Sequence, residues 1–178
     1  MTKAEWRRWA KTRPIITAAE SSAVVANLAE WLDGSRPKGV LIYYPLVGEV
    51  DLSSLMPRDG TRFFSTRTPA SGPLTVHELP AALERHRYGF LQPVAETPIA
   101  SLSLIEVAMV PGVLFDRRGV RLGHGAGYFD DLLTRLPPGI IRIGVGVERL
   151  VVDALPADDT DVSMHYLATE RGCRMVAR

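Results

Sequence analysis

Arg121, Gly123, Gly125, Gly127 and Asp130 fall within one short stretch, RLGHGAGYFD, and their types suit a polyphosphate. Glycines at alternate positions let the backbone turn tightly and aim successive amides at one point, an anion nest. A helix expected from about Tyr128 to Arg135 would add its free amides and positive dipole end. Arg121 offers a planar fork matched to phosphate oxygens. Asp130 offers a hard oxygen for the magnesium that accompanies nucleotide phosphates. Plainer roles exist for each: the glycines as a surface turn, and Asp130 as a favourable charge at a helix start, worth about 0.3–1 kcal/mol. Neither standard glycine motif fits. Tyr128 stands where a dinucleotide fingerprint wants its third glycine, and nothing matches the Gly-Lys-Ser/Thr end of a P-loop. The pattern alone describes a phosphate loop of another type.

Other charged groups carry the same ambiguity. Lys3 and Arg7 share one helix face at i and i+4, a pairing that becomes useful when an anion sits between them; otherwise it is a solvated basic face. Glu49 suits either a charge-assisted hydrogen bond or the start of a short helix. Asp161 closes an acidic run, Asp158 to Asp161, that reads equally as a solvated turn. His77, His86 and His165 are scattered without metal-ligand spacing. Trp6, Trp9 and Trp31 fall at helical spacing and are expected to pack. No Ser-His-Asp or Cys-His arrangement stands out.

The elements that must position these groups follow from pattern. Residues 3 to 11 suit a short basic helix. Thr17 and Glu20 form a capping box ahead of Ala23, Val24, Leu28 and Trp31, with Gly34 as the expected helix end. Apolar runs at 39–44, 104–110 and 140–147, with 61–65 and 166–169, read as strands, the longer ones covered on both faces. Residues 51–56 suggest a short helix capped by Asp51, and 69–98 short strands and turns. Strands alternating with helices predict an α/β layered sheet in one domain spanning 1–178.

Composition narrows the class. The chain has 178 residues, 46% of them apolar and 23% charged, enough for a core without disulfides. A net charge of +1 makes no general case for nucleic acid or membrane, so neither is an expected partner. Cys173 is the one cysteine, which suits a reducing compartment. The charged start lacks a signal-peptide core, and no apolar run approaches the roughly 20 residues of a membrane span. A cytoplasmic location is expected.

The stretch VPGVLFDRRGVRLGHGAGYFDDLL resembles the signature of 5-formyltetrahydrofolate cyclo-ligases, also called 5,10-methenyltetrahydrofolate synthetases. Lys3 and Arg7, Glu49-Val50-Asp51, Tyr88 to Pro93, Pro156, Asp161 and Thr169-Glu170 extend the likeness along the chain. The resemblance implies a three-layer α/β/α sandwich with a largely parallel central sheet, similar to ribose-phosphate isomerases and CoA transferases. It implies ATP-dependent closure of 5-formyltetrahydrofolate to 5,10-methenyltetrahydrofolate through a phosphorylated formyl group. ATP would meet Lys3, Arg7, Arg121, Leu122, Gly123, His124, Gly125, Ala126, Gly127, Tyr128 and Phe129. Folate would meet Arg7, Tyr44, Glu49, His124 and Tyr128, with Arg121 and Tyr128 in the catalytic roles. Asp130 and Asp161 would hold Mg2+. A polyglutamylated substrate and a monomeric enzyme are expected. Phe129, Asp131, Gln92 and His165 depart from the family pattern. Phe129 lacks a hydroxyl, and Asp131 is expected to add negative charge near the metal. These two keep open a catalytically impaired folate- or nucleotide-binding homologue; a sugar-phosphate isomerase of related fold would need no ATP loop.

Overall fold

The computed structural model describes residues 1–177. Two capping boxes start the chain. Thr2 and Glu5 exchange hydrogen bonds at the head of helix α1 (Lys3–Lys11), and Thr17 and Glu20 do the same for α2 (Ala18–Ser35). Helix α2 runs past Gly34, the expected end. Pro37 disfavours helix at Arg36, which turns left-handed (φ 46°) and donates its amide to the Leu32 carbonyl.

Strands follow as β1 (Gly39–Ile42), β2 (Arg62–Arg67), β3 (Thr75–Leu79), β4 (Leu83–Arg85), β5 (Leu91–Pro93), β6 (Val107–Pro111), β7 (Leu114–Asp116) and β8 (Arg121–Leu122). Helix α3 (Tyr128–Arg135) precedes β9 (Ile141–Val145), β10 (Val151–Val152), β11 (Tyr166–Thr169) and β12 (Gly172–Met175). The strand expected from residue 39 to 44 stops at Ile42, which releases Tyr43 and Tyr44 from the ladder. The one expected from residue 104 begins at Val107, after a 3₁₀ turn at Leu102–Leu104. Residues 51–56 hold a 3₁₀ turn, Ser53–Leu55, with Asp51 Oδ1 accepting from the Ser53 amide (2.9 Å).

The central sheet has the order β12-β11-β9-β6-β1-β2-β3. The five inner strands are parallel, and β3 and β12 pair antiparallel at the two edges. Side chains alternate between two cores, as strand geometry requires. Val40, Ile42, Val107, Met109, Ile143 and Val145 face Val24, Leu28 and Leu32 of α2. Leu41, Phe64, Ala108, Val110 and Leu167 face Leu132 and Leu133 of α3, together with Phe115. The expected layering of helix, sheet and helix is therefore present, with the small sheet β10-β7-β8 beside the second face.

The chain leaves β1 towards β2 on one side, and β6 then takes the other side of β1. Between β1 and β6 lies a topological switch point, where open α/β sheets form ligand crevices beyond the strands' carboxyl ends. No helix of the described residues is long and apolar enough to cross a membrane.

Candidate active site

A cavity of about 360 Å³ opens at that switch point. Tyr43 and Tyr44 enter it just past β1, and Pro111 at the end of β6. The β7–β8 hairpin then delivers Arg121, and the chain runs along the cavity from Arg121 to Asp130.

Helix α1 closes another side. Trp6, Trp9 and Ala10 pack on the cluster of Leu114, Val120, Leu122 and Leu155, with the two indoles edge to face at 5.4 Å. That docking turns Lys3 and Arg7 into the cavity. Arg7 Nε donates to the Gly123 carbonyl (2.8 Å), tying the helix to the loop. Lys3 Nζ donates to Asp158 Oδ2 (2.7 Å) and to both Asp161 oxygens (2.9 and 2.6 Å). Burial opposes the Lys3 ammonium, yet those bonds and the two carboxylate charges raise its pKa overall. Burial also opposes the Asp161 carboxylate. Hydrogen bonds from Lys3 and the Asp158 amide, with the charges of Lys3 and Arg121, still hold its pKa below the usual value.

Arg121 is 7% exposed. Its Nη1 donates to the Pro111 carbonyl (3.1 Å) and its Nη2 to Asp130 Oδ1 (2.7 Å), while Nε is buried without a partner among the described residues. The fork is therefore held in place by β6 and α3. Among the described residues, the amides of residues 123 to 127 donate to no backbone acceptor. Gly125 and Gly127 reach this shape through φ values of 108° and 73°, a region open to glycine. A Cβ on Gly123 would lie 2.6 Å from Arg121 Nη1. The loop thus presents unpaired donors, as an anion nest does.

Across the cavity, Glu49 accepts from the Leu46 amide (2.8 Å) and meets His124 Nε2 (3.1 Å). One carboxylate therefore joins the segment after β1 to the glycine loop. Phe129 packs against both cores with its ring 6.0 Å from the Arg121 guanidinium carbon. Asp131 does not add charge to the site, contrary to expectation. It pairs with Arg135 (3.0 Å) one turn along α3 and lies outside the cavity lining, because helical geometry turns it away from Asp130.

All the residues proposed from sequence line this one cavity, from Lys3 and Arg7 through Tyr44, Glu49 and the loop to Asp130 and Asp161. Several others went unassigned. Tyr43, Thr66, Thr68 and Leu74 line it, as do His86, Arg87, Tyr88 and Phe90 in the turn between β4 and β5. His86 stacks on Phe90 at 4.5 Å. Gln92, buried behind that turn, accepts from the Thr68 amide (3.1 Å) and donates to Glu84 (3.0 Å), fixing the hairpin to the end of β2. The run of aromatic and basic residues from His86 to Phe90 was the available signal. His77, by contrast, is a core histidine bonded to Thr75, Thr97 and Pro98.

The sequence model of the 5-formyltetrahydrofolate cyclo-ligase family matches residues 3–170. The chain belongs to this family. A 5-formyltetrahydrofolate cyclo-ligase of Mycolicibacterium smegmatis is 30% identical over 158 residues, covering 82% of this chain and 81% of the relative. The structure of 5,10-methenyltetrahydrofolate synthetase from Aquifex aeolicus superposes with a TM-score of 0.84 at 30% identity, covering 100% of this chain and 94% of that one. A synthetase from Mycoplasma pneumoniae shares the fold (TM-score 0.77) at 19% identity, covering 96% and 99%. The glycine-rich loop and Lys3 and Arg7 of α1 fall inside the matched span.

Proposed function

We propose that this cavity is the active site of an ATP-dependent 5-formyltetrahydrofolate cyclo-ligase, with the loop from Arg121 to Phe129 on the nucleotide and the segment from Tyr44 to Glu49 on the folate. The observation that carries the assignment is the meeting of unpaired loop amides, two basic side chains of α1 and an anchored carboxylate in one cavity.

The reaction sets the requirements. The N5 formyl group is amide-like and too poor an electrophile for N10 to close on it with loss of oxygen. Transfer of the γ-phosphoryl group to that oxygen makes it a leaving group. N10 then attacks the formyl carbon, phosphate departs, and the products are 5,10-methenyltetrahydrofolate, ADP and phosphate. Such transfer is mostly positioning and charge neutralisation.

Arg121 presents its fork to the phosphates from a fixed position, and the amides of residues 123 to 127 bind phosphate oxygens. Lys3 exchanges Asp161 for phosphate, while Arg7 stays anchored to Gly123 and borders both ligands. Glu49, with His124 against it, orients the folate through charge-assisted hydrogen bonds. Tyr128, on the first turn of α3, borders both substrates. Asp130 and Asp161 are hard oxygen donors on the same cavity and fit magnesium, which commonly takes one or two carboxylates with phosphate oxygens and water. That ion supplies neutralisation of phosphate charge.

Arg87 in the lining supports a substrate with an acidic, polyglutamylated tail. This reading takes the enzyme as a monomer acting as a single domain. The lone cysteine suits the cytoplasm. Purified protein mixed with ATP, magnesium and 5-formyltetrahydrofolate should develop the methenyl chromophore. A flat trace from folded protein that still binds folate would reject catalysis.

A further inference from the structure

Arg149 lies outside the cavity lining, yet it grips the strap that joins α1 to α2. Its Nη2 donates to the carbonyls of Pro14 (3.1 Å) and Ile15 (3.0 Å) and to Glu20 Oε2 (3.2 Å). Among the described residues those two carbonyls accept from no backbone amide, so the guanidinium supplies the partners that the strap lacks. Its Nη1 is buried with no partner among the described residues. Arginines on protein surfaces usually keep the charged head in water; this one withdraws part of it to reach the strap.

The turn that carries Arg149 is itself tied down. It is the 3₁₀ turn Glu148–Leu150, just beyond β9 of the central sheet. Arg174 Nη2 donates to both Glu148 oxygens (2.8 and 2.7 Å), and Thr169 Oγ1 donates to one of them (3.1 Å). The Glu148 amide donates to Glu170 Oε2 (2.9 Å). Arg149 therefore anchors the strap to the β11–β12 hairpin of the central sheet.

Helix α1 needs such a hold. It has nine residues, none of them fully buried, and isolated helices of that length are marginal. Its middle is fixed by the two indoles on the small sheet and by Arg7 on the Gly123 carbonyl. Lys3, at its start, is held through Asp158 and Asp161, and the proposed nucleotide takes it from Asp161. The helix is then a lever pivoted near Arg7, and the strap at the far end decides where the ammonium points.

We propose that Arg149 is a positioning residue for the nucleotide: by clamping the strap it fixes the tilt of α1 and so the place of Lys3 on the phosphates. The proposal rests on the nucleotide reading of α1. Arg149 is placed to touch neither ligand, and its effect reaches them through Lys3. Misplacing a positioning group by about 1 Å can cost about 100-fold in rate.

The test is a double-mutant cycle in the full chain, with Arg149→Met, Lys3→Met and the two combined. Arg149→Met keeps the apolar stem and removes the fork. Calorimetric titration reads a non-hydrolysable ATP analogue and 5-formyltetrahydrofolate. Arg149→Met is expected to weaken the nucleotide about fivefold and to leave folate affinity within about twofold. In the Lys3→Met background its further effect on the nucleotide should fall below about 1.5-fold. Arg149→Lys keeps the charge without the planar fork and should weaken the nucleotide about twofold; it carries the same cycle should the methionine variant not fold. Unchanged nucleotide affinity overturns the proposal. An equal loss of folate does so too, as does an undiminished loss in the Lys3→Met background, which would make Arg149 a structural clamp only. If Lys3→Met alone leaves the nucleotide as tightly bound as before, the nucleotide reading of α1 fails, and this inference with it.

Discussion

Lys3 Nζ lies 2.6 Å from Asp161 Oδ2, so the ammonium proposed for phosphate is neutralised by a carboxylate proposed for the cation. Arg121 and Asp130 repeat the arrangement at 2.7 Å. Each charge thus has a partner in the structure, and on the proposed reading a magnesium triphosphate would offer both replacements at once. The proposed cation and anion sites are thereby held as ion pairs.

Lys3→Met should weaken an ATP analogue by about tenfold or more, as expected for one lost charge-assisted bond. The pair also has a pH signature. The folded-state pKa of Asp161 is lowered, so its contribution to stability is present above the ordinary 3.8 and fades as pH falls through the folded value. That of Lys3 is raised, so its contribution is full below 10.5 and fades as pH rises through the folded value. The melting-temperature gap between wild type and variant should be flat between these limits and close beyond each. A constant gap across the whole range would contradict the pairing.

Arg121→Ala should weaken the ATP analogue about 100-fold while changing folate affinity about threefold or less, because a bidentate cation is lost from one subsite only. Arg121→Lys should restore little of it, since an ammonium lacks the planar fork. Titration of both ligands against each variant checks this. Equal loss of both would contradict the assigned subsites.

Gly125→Ala forces a side chain onto a φ of 108° and sets its Cβ 3.4 Å from the Arg7 guanidinium carbon. Strain of about 1–2 kcal/mol is expected, with displacement of the loop. Nucleotide affinity should fall by more than the melting temperature suggests, since the amides move while the core does not. Unimpaired ATP binding would show that the loop shape is not what holds the phosphates.

Asp116 is fully buried and accepts from the amides of Arg118, Val120 and Leu155 and from the Arg118 guanidinium. It pins the turn between β7 and β8 to the segment leading to Asp158. Asp116→Ala should cost about 3 kcal/mol or more, because several buried amides lose a charged acceptor. Urea denaturation, read as a shifted midpoint at constant slope, measures that cost. A shift under a third of it would mean that water replaces the carboxylate.

Local signals were legible where the determining contacts lie close in sequence. The capping box at Thr17, the apolar run of β1 and the glycine spacing of residues 123–127 depend on neighbours within a turn or two. The same reasoning misjudged the end of α2, where Pro37 and Arg36 overrode Gly34. It also missed β7, β8 and β10, whose two or three residues are strands only because they pair with one another.

Sequence alone determined the inventory: a phosphate loop, a basic first helix, acidic residues suited to a cation, and a layered α/β sheet. Only the tertiary structure decided which of these meet. Lys3 and Asp161 are joined because Trp6 and Trp9 dock α1 on the small sheet, and Asp131 is excluded because α3 turns it outward. Such outcomes depend on packing between segments far apart in the chain, and no local pattern of residue types encodes a distance across a cavity.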